Sequence, residues 1–177
     1  MSAMDSVNLD ISIDHSDWSI ALPNYQNLIE ECIGEVASNV REGRALSNFD
    51  HIELSIVLCS DELIHKLNHE YREKDKATNV LSFCGLDESE IQGYLKQLNS
   101  PEQRPYSLGE IYIAYETMDD EATTASKSLK NHFQHLVIHG VLHLLGYDHI
   151  IDEEAEQMEA LETLLLSNLG IDDPYHP

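Results

Sequence analysis

Residues 139–149, His-Gly-Val-Leu-His-Leu-Leu-Gly-Tyr-Asp-His, decide both the fold and the chemistry expected of this chain. His139 and His143 lie four residues apart, so both rings leave the same face of a helix. Gly146 follows three residues later, where a helix can end in the left-handed conformation that glycine tolerates. The chain can then turn back and bring His149 to the pair. Three neutral imidazoles that meet at one point suit a tetrahedral zinc ion with an open fourth position.

The helix that carries this motif is expected to begin between Thr124 and Lys130 and to lie in the core. On a helical wheel of about 100° per residue, His135, His139 and His143 share one narrow sector. Most of the remaining perimeter is apolar, with Phe133, Leu136, Val137, Ile138, Val141, Leu142, Leu144 and Leu145. A helix that is apolar nearly all round is buried. We therefore predict a central helix whose one polar sector consists of imidazole rings.

Patterns on both sides of the motif predict a sheet with helices packed on it. Alternating apolar residues predict four strands, near residues 9–13, 51–59, 80–84 and 109–114. Helical spacing predicts about five helices, near residues 25–40, 61–69, 91–98, 130–145 and 152–165. This order indicates an α+β fold with one mixed four-stranded sheet around the histidine helix.

Several local expectations complete this outline. Asn24 and Asp152 are expected to cap helices through their side-chain oxygens. We expect an acidic turn at residues 118–121, a polar loop at residues 71–79 and an irregular insertion at residues 85–107. We expect one domain over residues 1–177, ending in a frayed tail at 170–177.

The charge of the chain limits its partners. Acidic residues number 33 and basic residues 10, which gives a net charge of −23, and no lysine or arginine follows Lys130. A chain this acidic repels nucleic acid at long range. Any contact with RNA must then depend on a local basic patch or on the metal, and we expect no binding to DNA.

The cysteines and the N-terminal residues indicate the compartment. Cys32, Cys59 and Cys84 are scattered through apolar sequence, so we expect buried free thiols in a reducing compartment. Residues 1–10 lack the basic and apolar regions of a signal peptide. No segment approaches the roughly 20 apolar residues of a membrane span. These features predict a cytoplasmic protein without a membrane partner.

The spacing His-x-x-x-His-x-x-Gly-x-x-His is that of the metzincin proteases, so it predicts a zincin-like central helix. Those proteases carry a glutamate general base directly after the first histidine, where this chain has Gly140. The glycine is expected to leave room beside the metal for a bulky substrate. One zinc ion can activate water and polarise a phosphoryl or carbonyl oxygen, which indicates metal-assisted hydrolysis. A peptidase whose base lies elsewhere stays an alternative.

The densest basic cluster in the chain is formed by Arg72, Lys74 and Lys76. The planar guanidinium of an arginine matches phosphate oxygens. The alternative is a solvated loop in which Glu73 and Asp75 pair locally with these cations. By charge alone, the cluster is a candidate for binding a phosphate backbone.

Two further residues are candidates beside the metal. His135 lies one turn before His139, so it is expected to support a ligand or line the substrate groove, unless it is a satisfied core histidine. Asp148 is expected either to orient a ligand imidazole or to cap the turn before His149.

The motif at residues 139–149 resembles the signature of the bacterial YbeY family, single-strand-specific metallo-endoribonucleases also called rRNA maturation factors. The resemblance continues through residues 71–83 and 108–113 and through the helix start at 152–159. Two positions depart from the family pattern. Ala77 stands where the family usually has proline, which loosens the loop, and Glu110 stands where it usually has aspartate, which keeps the charge.

This resemblance implies that His139, His143 and His149 bind zinc and that Arg72 serves a single-stranded RNA substrate in rRNA maturation. We expect Arg72, Lys74 and Lys76 to form, with the metal, a small positive mouth on an acidic body. Targeting would then be left to a protein partner such as a ribosomal protein. A ribosome-assembly factor without catalysis, whose metal only holds the fold, stays an alternative.

Overall fold

The structure is a computed structural model, and it describes residues 7–44, 52–96 and 106–176. A mixed sheet of four strands organises these residues. The strands are β1 (Val7–Ile13), β2 (Ile52–Cys59), β3 (Val80–Cys84) and β4 (Tyr106–Ala114). They lie in the order β1-β2-β4-β3, with β1 and β4 both parallel to β2, and β3 antiparallel to β4. The α+β class and the single mixed sheet are confirmed.

Seven helices lie within these described ranges, two more than the sequence predicted. They are α1 (Asp17–Ala21), α2 (Tyr25–Asn39), α3 (Asp61–Arg72), α4 (Glu88–Lys96), α5 (Tyr115–Thr124), α6 (Leu129–Leu144) and α7 (Asp152–Asn168). The additional helices are α1 and α5. In α1, Trp18 is fully buried and its Nε1 donates to the Cys59 carbonyl at 3.0 Å, so one side chain anchors this short helix to β2.

The acidic turn predicted at residues 118–121 was wrong, because these residues lie inside α5. Met118 and Ala122 are one helical turn apart and both are buried. Asp119 and Asp120 are exposed, whereas Glu121 contacts His132 Nε2 of α6 at 2.7 Å. Two buried apolar residues and one acidic contact therefore hold the helix against α6, with which α5 packs.

The helix caps agree with the sequence at α3 and α6, where Ser60 Oγ accepts from Leu63 N and Ser128 Oγ from Asn131 N, but not at α2 and α7. The contact at Ser128 is 3.1 Å long and lies inside the window predicted for the start of α6. Asn24 takes the position before α2, but its side chain makes no capping hydrogen bond. Ile151 holds that position before α7, and Asp152 is the first helical residue. Asp152 therefore acts through its charge at the positive helix end rather than as a cap.

The core lies between the sheet and α6, which packs on α2, β3 and β4. Most of α6 is buried, as predicted, with Phe133, Gln134, Leu136, Val137, Ile138, Gly140, Val141, Leu142 and Leu144. Phe133 also meets Trp18, with ring centroids 5.3 Å apart. The helix is thus held by apolar contacts on several sides, and only its imidazole sector remains for polar chemistry.

The segment predicted as an irregular insertion is partly regular. It contains α4, whose Ile91 is buried, and residues 106 and 107 belong to β4. Residues 97–105 of the insertion lie outside the described residues, as does His51 at the predicted start of β2.

The tail predicted to fray was also wrong, because long-range contacts hold it. Lys127 Nζ donates to the Pro174 carbonyl at 3.1 Å, and Thr163 Oγ1 of α7 donates to Asp173 Oδ1 at 3.3 Å. The tail therefore packs on the start of α6 and on α7, and its polar composition serves these contacts.

Two of the three cysteines are buried free thiols, as predicted, but Cys84 is exposed. Cys84 is the last residue of the edge strand β3, where the apolar run no longer faces the core. Within residues 7–44, 52–96 and 106–176, no helix combines the length and the apolar character that crossing a bilayer requires.

Candidate metal centre

Three imidazoles converge at the C-terminal end of α6, as the motif predicted. The ring centroids of His139 and His143 lie 4.6 Å apart, and that of His149 lies 5.6 Å and 5.0 Å from them. One nitrogen of each ring falls within 4.8 Å of the others. Two imidazole nitrogens bound to one tetrahedral zinc are about 3.3 Å apart. The His139 Nε2 to His143 Nε2 separation of 3.1 Å fits this value.

The turn after α6 brings the third ring to the pair. Gly146 has a φ of +99°, so glycine is needed to end the helix here. Its N–H donates to the His143 carbonyl at 3.0 Å, and the next N–H, of Tyr147, donates to the Leu142 carbonyl at 3.1 Å. The chain then reverses and returns His149 toward the helix.

Asp148 stabilises this turn through the backbone. Its Oδ1 accepts from the backbone N–H of His149 at 2.7 Å. The same oxygen lies 3.8 Å from His149 Nδ1, beyond hydrogen-bond distance. Of the two roles considered for Asp148, this geometry favours capping the turn over orienting the imidazole.

A buried carboxylate fixes one of the three rings. Glu162, on α7, is 0% exposed, and its Oε1 accepts a hydrogen bond from His139 Nδ1. Because a carboxylate only accepts, Nδ1 carries the proton and Nε2 presents its lone pair to the other two rings. Such a carboxylate contact is the usual partner of a histidine that binds metal.

The charge state of these groups suits a cation. Burial, together with the neighbouring His139 and His149, lowers the pKa of His143 to about 4. His143 is therefore neutral at physiological pH and its lone pair is available. Burial alone would raise the pKa of Glu162, but hydrogen bonds from His135 and His139 outweigh it and lower the pKa, so Glu162 is ionised. The donor set fits one zinc ion.

His135 does not face the three converging rings. Its Nε2 lies 3.3 Å from Glu162 Oε2 and 3.4 Å from the Tyr175 hydroxyl. His135, His139 and Glu162 together form a second group that could hold a metal. However, both oxygens of Glu162 already accept hydrogen bonds, Oε1 from His139 Nδ1 and Oε2 from the Tyr175 hydroxyl. We therefore interpret this group as a hydrogen-bonded support for His139.

Arg72 lies beside β3, the edge strand that also contacts the histidine helix. It is the last residue of α3 and not part of a loop, which corrects the prediction for residues 71–79. Its guanidinium donates to the Ser82 carbonyl at 3.1 Å and lies 5.9 Å from the centroid of Phe83. The Ser82 Oγ donates in turn to the Gly140 carbonyl at 3.3 Å. One edge strand thus links Arg72 to the helix that carries the histidines.

The charge of Arg72 affects the thiol of Cys84, the last residue of β3. Cys84 Sγ donates to the His143 carbonyl at 3.5 Å. The pKa of Cys84 is raised, chiefly by burial, while Arg72 lowers it and Asp148 raises it. Arg72 and Asp148, in the turn before His149, therefore both influence this exposed thiol.

Lys74 and Lys76 extend into solvent beyond α3. Within the described part of the chain, neither ammonium group takes part in an ion pair, and Asp75 instead contacts His65 Nε2 at 2.7 Å. The alternative of local pairing among the loop charges is therefore not what these residues do. Both lysines are exposed, and among the described residues neither has a hydrogen bond or an ion pair with the three imidazoles.

Gly140 serves packing rather than substrate access. A Cβ at this position would lie 2.9 Å from Ile111 Cγ2, so the residue faces β4. The expectation that this glycine leaves room for substrate beside the metal was wrong. A glutamate here would meet the sheet, which explains why the general base of the metzincin proteases has no place at this position.

Sequence reasoning missed Glu162 and Tyr175. Glu162 lies four residues after Met158 and three before Leu165, both buried, so helical spacing placed it on the buried face of α7. A carboxylate on a buried face needs partners, which was the available signal. Nothing in the local sequence indicated that Tyr175 would return to α7.

Comparison with known proteins places the chain in a family. The profile of the family described as Endoribonuclease YbeY matches residues 10–170. A protein named Endoribonuclease YbeY from Paramagnetospirillum magneticum is 52% identical over 96% of this chain and 98% of its own length. A second of that name, from Erythrobacter litoralis, is 40% identical, with coverage of 96% and 98%.

A solved structure has the same fold. The solution structure of TM1509 from Thermotoga maritima superposes with a TM-score of 0.50 at 21% identity. The match covers 96% of this chain and 99% of the other. At this identity the likeness concerns the fold, whereas the profile and the relatives concern the family. By these matches the chain belongs to the endoribonuclease YbeY family.

Proposed function

We propose that this protein is a zinc-dependent, single-strand-specific endoribonuclease that acts in rRNA processing and ribosome maturation. Its one zinc ion would be held by His139, His143 and His149. Support comes from the family and from one observation of the site, the convergence of three imidazoles of which one is fixed by a buried carboxylate. When bound, zinc supplies a Lewis acid that activates water near neutral pH and polarises a phosphoryl oxygen.

The side chains of this centre have separate tasks in phosphodiester hydrolysis. Glu162 holds the proton on His139 Nδ1 and so keeps Nε2 directed at the metal position. His143 stays neutral because it is buried. Arg72 is exposed and uses one N–H on the Ser82 carbonyl, while a guanidinium has five N–H donors. Its other donors can orient a phosphate of the RNA.

The charge distribution supports a local RNA site on an otherwise repelling body. We expect Arg72, Lys74 and Lys76 to supply local positive charge for RNA, against a net charge of −23 for the chain. The acidic surface weakens indiscriminate binding of RNA and DNA. Targeting in the cytoplasm would then depend on a protein partner, such as a ribosomal protein. RNA crosslinks that map to residues 72–76 support this arrangement, and crosslinks confined to α7 contradict it.

The activity is tested by measuring bound metal in the purified protein and then cleavage of labelled single-stranded RNA, duplex RNA and casein, with and without a chelator. We expect bound zinc and chelator-sensitive cleavage of the single-stranded RNA alone. Cleavage of casein with intact RNA would favour the peptidase alternative. Bound zinc with no cleavage of either substrate would favour the assembly factor without catalysis.

Arg72→Ala tests the role of the arginine in this reaction. Loss of hydrogen bonds to a charged group is expected to lower kcat/KM for RNA by about 10- to 100-fold. The zinc content should not change, since Arg72 does not touch the three rings. Lys66→Ala is a matched control on the same helix, where Lys66 pairs with Glu62 at 2.9 Å, and should cleave at the wild-type rate. Equal rates for both variants would contradict the assignment of Arg72.

A further inference from the structure

The C-terminal tail makes a direct contact with the carboxylate that fixes His139. The Tyr175 hydroxyl donates to Glu162 Oε2, while Oε1 of the same carboxylate accepts from His139 Nδ1. A continuous chain of hydrogen bonds therefore runs from the tail, through α7, to an imidazole of the metal centre. Neither the three converging imidazoles nor the basic cluster of Arg72, Lys74 and Lys76 accounts for this contact.

The contact is built by several elements. The ring of His135 packs edge-on against that of Tyr175, with centroids 5.7 Å apart and an interplanar angle of 85°. Asp173 Oδ1 accepts from Tyr175 N at 2.8 Å and from Thr163 Oγ1 at 3.3 Å, which ties the tail to α7. Tyr175 is thereby held with its hydroxyl at a carboxylate that is closed to water.

Both oxygens of Glu162 need their partners. The residue is 0% exposed, and a buried carboxylate without donors is strongly unfavourable. The terminal torsion of a glutamate side chain has a broad energy profile, so the carboxylate plane is set by the contacts at its two oxygens. One of these contacts is His139, and the other pair is His135 and Tyr175. Loss of the hydroxyl would leave the plane free to rotate away from His139.

We propose that Tyr175 is a positioning residue for the metal ligand His139, acting through Glu162, so that the tail sets the metal affinity of the centre. This rests on the proposed function, in which His139 binds zinc. Tyr175 does not touch the metal or the substrate. It restricts the carboxylate that orients His139, and the centre is complete only when the tail is in place.

The test uses Tyr175→Phe in the full-length chain, which removes the hydroxyl and keeps the ring. Zinc affinity is measured by competition with a chelator, and the absorption spectrum is recorded with cobalt in place of zinc. We expect zinc to bind about tenfold more weakly, at the lower end of the range for partners of metal-binding histidines, and the cobalt bands to shift. Tyr25→Phe, in α2, is the matched loss of a hydroxyl and should stay within about twofold of wild type.

A double-variant cycle separates positioning from simple loosening of the tail. In Glu162→Gln the link to His139 is altered, so adding Tyr175→Phe should have little further effect on zinc affinity. The same tenfold loss in both backgrounds overturns the proposal, because Tyr175 would then act independently of Glu162. Unchanged or tighter zinc binding by Tyr175→Phe also overturns it.

The wild-type titration distinguishes this inference from the function on which it rests. Wild-type protein that binds no zinc contradicts the proposed function and the positioning role together. Wild-type protein that binds zinc with the same affinity as Tyr175→Phe contradicts the positioning role alone.

Discussion

The two halves of α6 carry the same residue type on the same sector of the helix and meet different partners. In the N-terminal half, His132 Nε2 contacts Glu121 Oε2 at 2.7 Å, and His135 contacts Glu162. In the C-terminal half, His143 faces the imidazoles of His139 and His149. His132 and His135 each have a carboxylate that accepts a hydrogen bond, whereas His139, His143 and His149 direct a nitrogen of each ring at one point.

Partners from other elements, and not position on the helix, therefore decide what each histidine does. A carboxylate from α5 converts His132 into a hydrogen-bonded link that also includes Asn79, whose Nδ2 donates to Glu121 at 3.0 Å. The turn at Gly146 supplies a third imidazole and so makes a metal centre. His139 belongs to both groups, since Nδ1 faces Glu162 and Nε2 faces His143.

His143→Ala should have the largest effect, because it removes one of three ligands. We expect zinc affinity to fall by about 100-fold or more, beyond the range for residues that only support a ligand. The metal-free variant should still unfold cooperatively, since the core on α6 does not include this ring. Chelator competition and urea denaturation measure the two quantities. A variant that fails to fold would show that the metal holds the structure, and the halves would then differ in stability rather than in chemistry.

Acid should destabilise the metal-free protein through the C-terminal half. The pKa of His143 is about 4 in the folded protein against 6.5 for an ordinary histidine. The unfolded chain takes up a proton below pH 6.5 and the folded chain only near pH 4. Stability is therefore fully present above pH 6.5 and is lost as the pH falls toward 4, by on the order of 3 kcal/mol.

Urea denaturation of metal-free protein across this range measures that loss, with His143→Gln as the comparison. The variant cannot be protonated at this position, so its stability should fall less with pH. Parallel pH profiles for wild type and variant would show that His143 does not cause the acid sensitivity.

Gly140→Ala tests the packing of α6 against β4 at the point where the two halves of the helix meet. The new methyl group would lie 2.9 Å from Ile111 Cγ2, so we expect a loss of about 1–3 kcal/mol in the free energy of unfolding. Gly34→Ala in α2 is the matched control, because its Cβ would meet nothing within 4 Å. That variant should gain about 0.5–1 kcal/mol from its higher helix propensity. A gain in both variants would mean that α6 can move away from the sheet.

His132→Ala should have the smallest effect and should leave the metal centre intact. The hydrogen bond to Glu121 is lost, so the free energy of unfolding should fall by about 1 kcal/mol. Zinc affinity should stay within about twofold of wild type, since this ring lies two turns from His139 along the helix. A large fall in zinc affinity would show that the N-terminal half also supports the metal centre.

The features that could be predicted from the sequence are those with local causes. The spacing of His139 and His143, followed by Gly146, is a backbone property that needs no distant contact. The strands were found because alternation along β1 and β2 reports which face is buried. The central position of α6 followed from its nearly complete apolar perimeter.

The features that were missed depend on contacts between distant parts of the chain. Helical spacing places Glu162 on the buried face of α7, but only its packing against α6 shows that it supports His139. The tail is ordered by Lys127 and Thr163, both of which lie outside it in sequence. Arg72 was predicted to lie in a loop because α3 ends in exposed, charged residues. No periodic apolar pattern therefore indicates a helix there.

The arrangement of strands in the sheet has a consequence for how the chain folds. Parallel neighbours cannot be joined by a hairpin, so pairing β1 with β2 and β2 with β4 requires the closure of long crossover segments. Such non-local pairing lowers the folding rate. The three imidazoles, in contrast, lie within one helix and the turn that follows it. Assembly of the sheet therefore sets the folding rate, and substitutions at the histidines act on the unfolding rate of the finished molecule.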